Sequence, residues 1–165
     1  MKRSEVNNCI RYMEKLVKAH GFELPPFCNW TPQEWQDKSH EYDEIRDNML
    51  GWDITDYGQG DWEKLGFALI TLRNGNQNNP KYKKVYAEKL LMLKEGQHSP
   101  MHFHWNKSED IINRGGGTLI IHVYNDKGDG TFDDQDVLVN SDGRSYYVPA
   151  GTGVELKPGE SITLW

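Results

Sequence analysis

The sequence has few cysteines, no long apolar run and no concentration of positive charge, and each absence argues against a class of protein. Only two of its 165 residues are cysteine, Cys9 and Cys28, and they form no Cys-x-x-Cys pair. Neither a disulfide framework nor a zinc ribbon is therefore expected as the basis of the fold. Because cytosolic proteins keep their thiols reduced, this cysteine usage predicts a cytoplasmic protein.

The apolar residues occur only in short runs, and the charges are dispersed. The opening MKRSEVNN lacks the apolar stretch of a secretory signal, and no segment approaches the roughly 20 apolar residues of a membrane span. The net charge is −6, and the 19 lysines and arginines are scattered, whereas a nucleic-acid surface needs clustered positive charge. We therefore expect partners that include neither a membrane nor nucleic acid.

The first part of the chain has helical periodicity. A helix is predicted over residues 4–20, where apolar residues recur at helical spacing: Val6, Ile10, Met13 and Val17. A second helix is predicted from Thr31, which forms a capping box with Glu34 around Pro32, to about Leu50. We expect residues 1–64 to form a helical segment.

From about residue 65 the period becomes that of short strands separated by turn residues. The predicted strands are Phe67–Arg73, Lys84–Lys94, Pro100–Trp105, Thr118–Tyr124, Val137–Val139, Ser145–Val148, Gly153–Leu156 and Ser161–Trp165. Many short strands without intervening helices indicate a barrel or sandwich. The prediction is a mainly β fold, a single domain in which residues 65–165 form a β-barrel and residues 1–64 pack on its outside.

Two histidines and a glutamate carry the pattern of a metal site. In Pro-Met-His-Phe-His-Trp, His102 and His104 are two residues apart, so on a strand both imidazoles project from one face. Glu109 can return across a short loop as a third ligand. Two imidazoles and a carboxylate suit Mn, Fe, Co, Ni or Zn without selecting one. A strand with two histidines on its solvent face would show the same letters, so the His-x-His pair alone leaves both interpretations open.

The spacing around these residues resembles the first cupin motif at every fixed position: Gly96, five residues, His102, one residue, His104, four residues, Glu109, six residues, Gly116. The resemblance implies a cupin-type β-barrel, or jelly roll, with the two histidines and the glutamate as metal ligands. It also implies that Gly96 turns the chain into the ligand strand and that the glycine run around Gly116 starts the next one.

A wider resemblance covers nearly the whole chain. The segments MKRSEVNNCIRYMEKL, HGFELPPFCNWTPQEW, AEKLLML and MHFHWNKSEDIINRGGG resemble the D-lyxose isomerase family of metal-dependent cupins. The resemblance implies an aldose–ketose isomerase that converts D-lyxose to D-xylulose through an enediolate, with D-mannose to D-fructose as a further reaction. It also implies a sugar substrate, a manganese-type ion and a homodimer.

Two lysines are candidate catalytic residues. Lys89 interrupts a set of alternating apolar residues that would share one strand face: Val85, Ala87, Leu91 and Leu93. Lys107 lies between the predicted ligands His104 and Glu109. Either lysine could stabilise the negative charge of the intermediate. The alternatives are a lysine at a strand edge that reaches water, for Lys89, and a solvated loop lysine, for Lys107.

The second cupin motif is incomplete, since the chain ends at Trp165, shortly after Pro158 and Gly159. The histidine that serves as the fourth ligand in cupins is therefore absent, and Val154, at the corresponding place in an earlier partial match, cannot bind metal. This pattern predicts a barrel that is truncated at the C-terminus. The alternative function is accordingly a truncated, catalytically impaired, metal-binding cupin remnant.

Overall fold

The structure, a computed structural model, describes all residues 1–165. The chain forms two compact units, residues 1–100 and residues 101–165. Nine strands form three antiparallel sheets of three, four and two strands. The mainly β prediction is confirmed, but the strands do not close into a barrel, because each sheet has its own unpaired edges.

The first unit contains the N-terminal helix and the three-stranded sheet. Helix α1 spans Arg3–Ala19, which confirms the predicted helix at residues 4–20. The sheet has the order β1 (Gly51–Thr55), β2 (Phe67–Arg73) and β3 (Glu88–Met92). Helix and sheet share one core, whose buried members are Cys9, Met13, Val17, Trp62, Ala68, Ile70, Leu72 and Met92.

The predicted second helix is wrong beyond its first turn. The Thr31–Glu34 capping box forms, with Thr31 N 2.7 Å from Glu34 Oε2, but helix α2 ends at Gln36. A 3-10 turn at His40–Tyr42 and a short helix α3 at Asp43–Asp47 follow. No helix of the structure combines the length and the apolarity that crossing a bilayer would require.

Asparagine side chains fix the end of this segment. The amides of Asn48 and Asn74 each donate to the backbone carbonyl of the other, at 3.2 and 3.0 Å. Met49 then adopts a φ of 53°, which ends the helical path. Gly51 begins strand β1, so residues 1–64 are not wholly helical as predicted.

The second unit pairs a four-stranded sheet with a two-stranded one. The larger sheet has the order β4 (Glu109–Ile112), β9 (Ser161–Leu164), β6 (Val137–Ser141) and β7 (Arg144–Val148). The smaller pairs β5 (Leu119–His122) with β8 (Gly153–Leu156). Both sheets contribute to one core, whose buried members are Val123, Val137, Val139, Val154, Leu156 and Ile162.

The predicted strands differ from the observed ones mainly around the candidate ligands. Residues 67–73 and 153–156 match their predictions at both ends, and five more predicted strands match to within four residues at each end. The predicted strand Pro100–Trp105 is wrong, because this segment has no regular secondary structure. Its alternating apolar side chains are exposed by about half or more and so mark no buried face: Met101 47%, Phe103 47% and Trp105 68%.

Candidate functional site

His102 and His104 lie on the irregular segment that leads into strand β4, whose first residue is Glu109. The two imidazole centroids are 5.3 Å apart and the ring planes are inclined by 79°. Nε2 of His104 is 3.4 Å from Oε2 of Glu109. The chain therefore brings one predicted ligand directly against another, with the third beside them.

The position of Glu109 follows from the pairing of strand β4 with β9. Glu109 is opposite Leu164 and Ile111 is opposite Ile162, and these four residues lie on the face that packs into the core. Because side chains alternate along a strand, Asp110 points to the other face. Glu109 stands at the end of the core face with its side chain 32% exposed, so its carboxylate is reachable from solvent.

Lys107 is the closest charged neighbour of this carboxylate. Its ammonium group donates a hydrogen bond to Oε1 of Glu109. Partial burial of Glu109 tends to raise its pKa, but the hydrogen bond and charge of Lys107, together with His104 and His102, outweigh burial and lower it. Glu109 is therefore ionised at neutral pH, the state that a metal ligand requires.

The donor types fit a divalent ion, since imidazole and carboxylate are ligands of Mn, Fe, Co, Ni and Zn. In the side-chain arrangement of the structure, however, no group of three or more His, Cys, Asp or Glu residues could hold a metal ion. One oxygen of Glu109 is bonded to Lys107 and the other is beside His104. The bond to Lys107 leaves Oε2, on the side of His104, as the oxygen through which Glu109 would bind an ion.

Lys89 lies in strand β3, opposite Thr71 on the neighbouring strand. It is exposed, and the buried face of β3 carries Leu90 and Met92 instead. Lys89 shares a strand face with Leu91, as the alternation predicts, but this face is exposed to solvent and β3 is an edge strand of its sheet. This exposure leaves the catalytic role of Lys89 a prediction.

The sequence indicates only part of the aromatic surroundings of His102 and His104. The rings of Phe103 and Trp105 meet edge to face at 4.6 Å. A Cβ at Gly130 would lie 3.7 Å from the Phe103 ring, an ordinary van der Waals contact, so this ring lies close beside the turn. The turn around Gly130 therefore packs against the histidine segment. The positive φ of 83° at Gly130 is suited to glycine, but sequence alone does not indicate what its turn contacts.

Comparison with known proteins places these residues in a family. A family model described as D-lyxose isomerase matches residues 1–165. The D-lyxose/D-mannose isomerase of Escherichia coli O157:H7 is 41% identical over 165 residues, covering 99% of this chain and 73% of that protein. The D-lyxose/D-mannose isomerase of Serratia proteamaculans is 43% identical over 166 residues, covering 99% of this chain and 72% of that protein. The matches run along almost the whole of this chain and cover about three quarters of the length of each relative. The chain belongs to the D-lyxose isomerase family.

Proposed function

We propose that this protein is an aldose–ketose isomerase that converts D-lyxose to D-xylulose and, as a second reaction, D-mannose to D-fructose. Its family and the names of both relatives support a sugar isomerase that acts on these two aldoses. The structural observation that carries the proposal is the contact of His104 with Glu109 beside the ammonium group of Lys107.

The proposed cofactor is a divalent ion, manganese by resemblance to the family, with Zn, Co, Ni or Fe as alternatives. His102, His104 and Glu109 would hold it, in a site of the cupin type. When bound, such an ion polarises the oxygens of the sugar's carbonyl and neighbouring hydroxyl and so favours loss of the C2 proton. The lowered pKa of Glu109 supports this role, because the carboxylate stays ionised.

The residues of the chain would supply the remaining electrostatics. Isomerisation removes the proton from C2 and delivers one to C1, which becomes a CH₂OH group as the C2 hydroxyl becomes a carbonyl. The enediolate between these two states is negative, so the ammonium of Lys107 beside the site would stabilise it. Lys89 is the second proposed source of positive charge. A separate acid–base group carries the proton between the two carbons.

The decisive experiment is an assay of the purified full chain with MnCl₂ and D-lyxose, with D-xylulose as the measured product. His102→Ala is expected to remove turnover and to weaken manganese binding. The matched control is His122→Ala, since His122 is an exposed histidine of the same unit whose Nδ1 lies 3.2 Å from the Gly151 carbonyl oxygen. Turnover by the wild type no higher than by His102→Ala would overturn the proposal.

Two further properties are part of this proposal. We expect a homodimer, which sedimentation equilibrium of the purified chain tests directly. The alternative function is a metal-binding protein without isomerase activity, and it is favoured if manganese binds at His102, His104 and Glu109 while no D-xylulose is formed. The same two measurements, metal content and product, therefore separate the two functions.

A further inference from the structure

The loop between strands β2 and β3, residues 74–87, begins with the dipeptide Asn74-Gly75. In such a pair the backbone nitrogen of the second residue can attack the side-chain amide of the first. Glycine favours this attack, since it has no side chain to obstruct it and adopts the required backbone angles freely. The chain has no other asparagine that is followed by glycine.

The structure requires a glycine at this place in the loop. A Cβ on Gly75 would lie 2.4 Å from the carbonyl oxygen of Lys84, a distance that real Cβ atoms do not show. The obstructing atom belongs to the backbone, so no change of side-chain rotamer relieves the clash. Close approach of two backbone segments is one of the few reasons for which glycine is indispensable. The loop therefore keeps the residue that makes Asn74 reactive.

The attacking nitrogen is free to react. Gly75 N donates no hydrogen bond within the chain, since the residue lies just past the end of β2. Both residues of the dipeptide are only half-buried, so water and hydroxide reach them. The side-chain amide of Asn74 makes a single hydrogen bond, from Nδ2 to the carbonyl oxygen of Asn48 at 3.0 Å. One such bond slows the movement of the amide toward Gly75 N by only about fivefold.

The same amide joins the loop to the residue that follows helix α3. Nδ2 of Asn48 in turn donates to the carbonyl oxygen of Asn74 at 3.2 Å, and Asn48 is 1% exposed. Conversion of Asn74 to a carboxylate would remove the donor and set a negative charge against the buried carbonyl of Asn48. Isoaspartate would also add one carbon to the main chain and displace Gly75 from its contact with Lys84.

The other side-chain contacts between the loop and this helix end are weaker or depend on the same place: Asn76 bonds Asn48, Tyr82 bonds Asp47 and Lys84 bonds Glu44. The contacts of Tyr82 and Lys84 lie near the surface, where polar pairs contribute little to stability. Asn76 is two residues from Asn74 and moves with it. Loss of the Asn74 amide should therefore loosen the loop as a whole.

We propose that Asn74 is a site of spontaneous deamidation, which releases the loop 74–87 from helix α3. A base removes the proton from Gly75 N, which forms a bond to Cγ of Asn74. The Cγ–Nδ2 bond breaks, and the side-chain nitrogen takes up a proton from water and leaves as ammonia. Water then opens the resulting cyclic imide at either carbonyl and gives aspartate or isoaspartate, with nothing oxidised or reduced. The inference does not depend on the proposed isomerase activity.

The test is incubation of the purified full chain at pH 8, followed by digestion in H₂¹⁸O and tandem mass spectrometry. Deamidation during digestion carries ¹⁸O and is thereby told apart. We expect Asn74 to convert at a rate proportional to the hydroxide concentration and about fivefold below that of a synthetic peptide of residues 72–82. Asn79 is the internal control, since Pro80 has no N–H and should leave it unchanged. Conversion of the peptide without conversion of Asn74 in the folded chain would overturn the proposal.

A second measurement tests the release of the loop. In Asn74→Asp, which carries the product side chain, hydrogen exchange of the amides of residues 76–86 should accelerate by about fivefold. Asn79→Asp makes the same charge change in the same loop and keeps the Oδ1 acceptor that Lys81 N uses at 3.1 Å. Its exchange should equal that of the wild type. Equal exchange in the two variants would show that Asn74 does not hold the loop, and thermal melts confirm that both are folded.

Discussion

Lys107 and Glu109 are hydrogen-bonded to each other on the same stretch of chain that carries the two candidate histidine ligands. The ammonium group of Lys107 donates to Oε1 of the carboxylate, and Oε2 lies 3.4 Å from Nε2 of His104. A lysine ammonium on one oxygen of a carboxylate repels a divalent cation on the other. The lysine that would help the reaction therefore competes with the proposed cofactor.

Replacement of this lysine by a neutral side chain should strengthen metal binding. Lys107→Met removes the competing cation, so we expect the affinity for Mn²⁺ to rise by about two- to fivefold, in line with an exposed ion pair. Isothermal titration calorimetry at pH 7 measures it. If Lys107 also stabilises the intermediate, kcat should fall in the same variant.

Lys127→Met is the control for this prediction, since Lys127 is an exposed lysine of the same unit and carries the same charge. It should change neither the Mn²⁺ affinity nor kcat. An affinity of Lys107→Met that equals or falls below that of the wild type would show that the ammonium does not compete for Glu109.

Cys28 should be unreactive near neutral pH. Partial burial raises the pKa of its thiol from about 9 to about 11, so at pH 8 only about one thiol in a thousand is ionised. We expect its reaction with a disulfide reagent to be slow in the folded protein and to accelerate about tenfold per pH unit. The rate is measured in Cys9→Ser, which leaves Cys28 as the sole thiol.

The same pKa has a consequence for stability. The pKa of the Cys28 thiol is higher in the folded protein than in the unfolded chain. The stability that the neutral thiol contributes is therefore fully present below about pH 9 and is lost as the pH rises toward 11. Cys28→Ser in the Cys9→Ser background should flatten this part of the stability curve. A reaction of Cys28 with the disulfide reagent whose rate is already maximal at pH 8 would contradict the raised pKa of its thiol.

Asn113 should be important for the stability of the second unit. It is 6% exposed, and its Nδ2 donates to the carbonyls of Gly117 at 2.9 Å and Leu156 at 2.8 Å. Asn113→Asp keeps the acceptor used by Gly115 N but loses both donors and sets a negative charge against two carbonyls. We expect a loss of about 2 to 3 kcal/mol in the free energy of unfolding, measured with urea.

Arg114→Ala, a change at the exposed neighbouring residue, should shift this free energy by less than about 0.5 kcal/mol. Equal stabilities for Asn113→Asp and Arg114→Ala would mean that the buried amide bonds contribute little.

Much of the fold could be predicted from the sequence because, in elements such as helix α1 and strand β2, the spacing of the apolar residues matches the residues that are buried. In helix α1 the apolar spacing coincides with the buried residues Met13 and Val17. In β2, a run of buried apolar residues identifies a central strand with neighbours on both sides. These elements follow from local pattern because one face, or nearly the whole strand, is removed from water.

Prediction from the sequence failed for the elements in which the local pattern of apolar residues does not match the residues that are buried. Strand β4 begins with two acidic residues, Glu109 and Asp110, so it has no apolar run to reveal it. The segment before it alternates apolar residues but leaves them exposed, so the pattern predicted a strand that does not exist. For Lys89, alternation defined two faces correctly but could not say which one meets the core. The pairing of β3 with β2 and the packing of helix α1 against one face of the sheet determine which face of β3 is buried.

The pairing of β4 with β9 determines which side chains of β4 face the core and which face solvent. A slip of a single residue would turn Glu109 away from the histidines and push Asp110 into the interior, while Ile111 would emerge into water. Backbone bonds just past the strand oppose this slip, since Asn113 N donates to Glu160 O at 2.9 Å and Gly159 N donates to Asn113 O at 2.7 Å. Mutations at this junction, far from any reacting atom, would therefore disturb both faces of the sheet together.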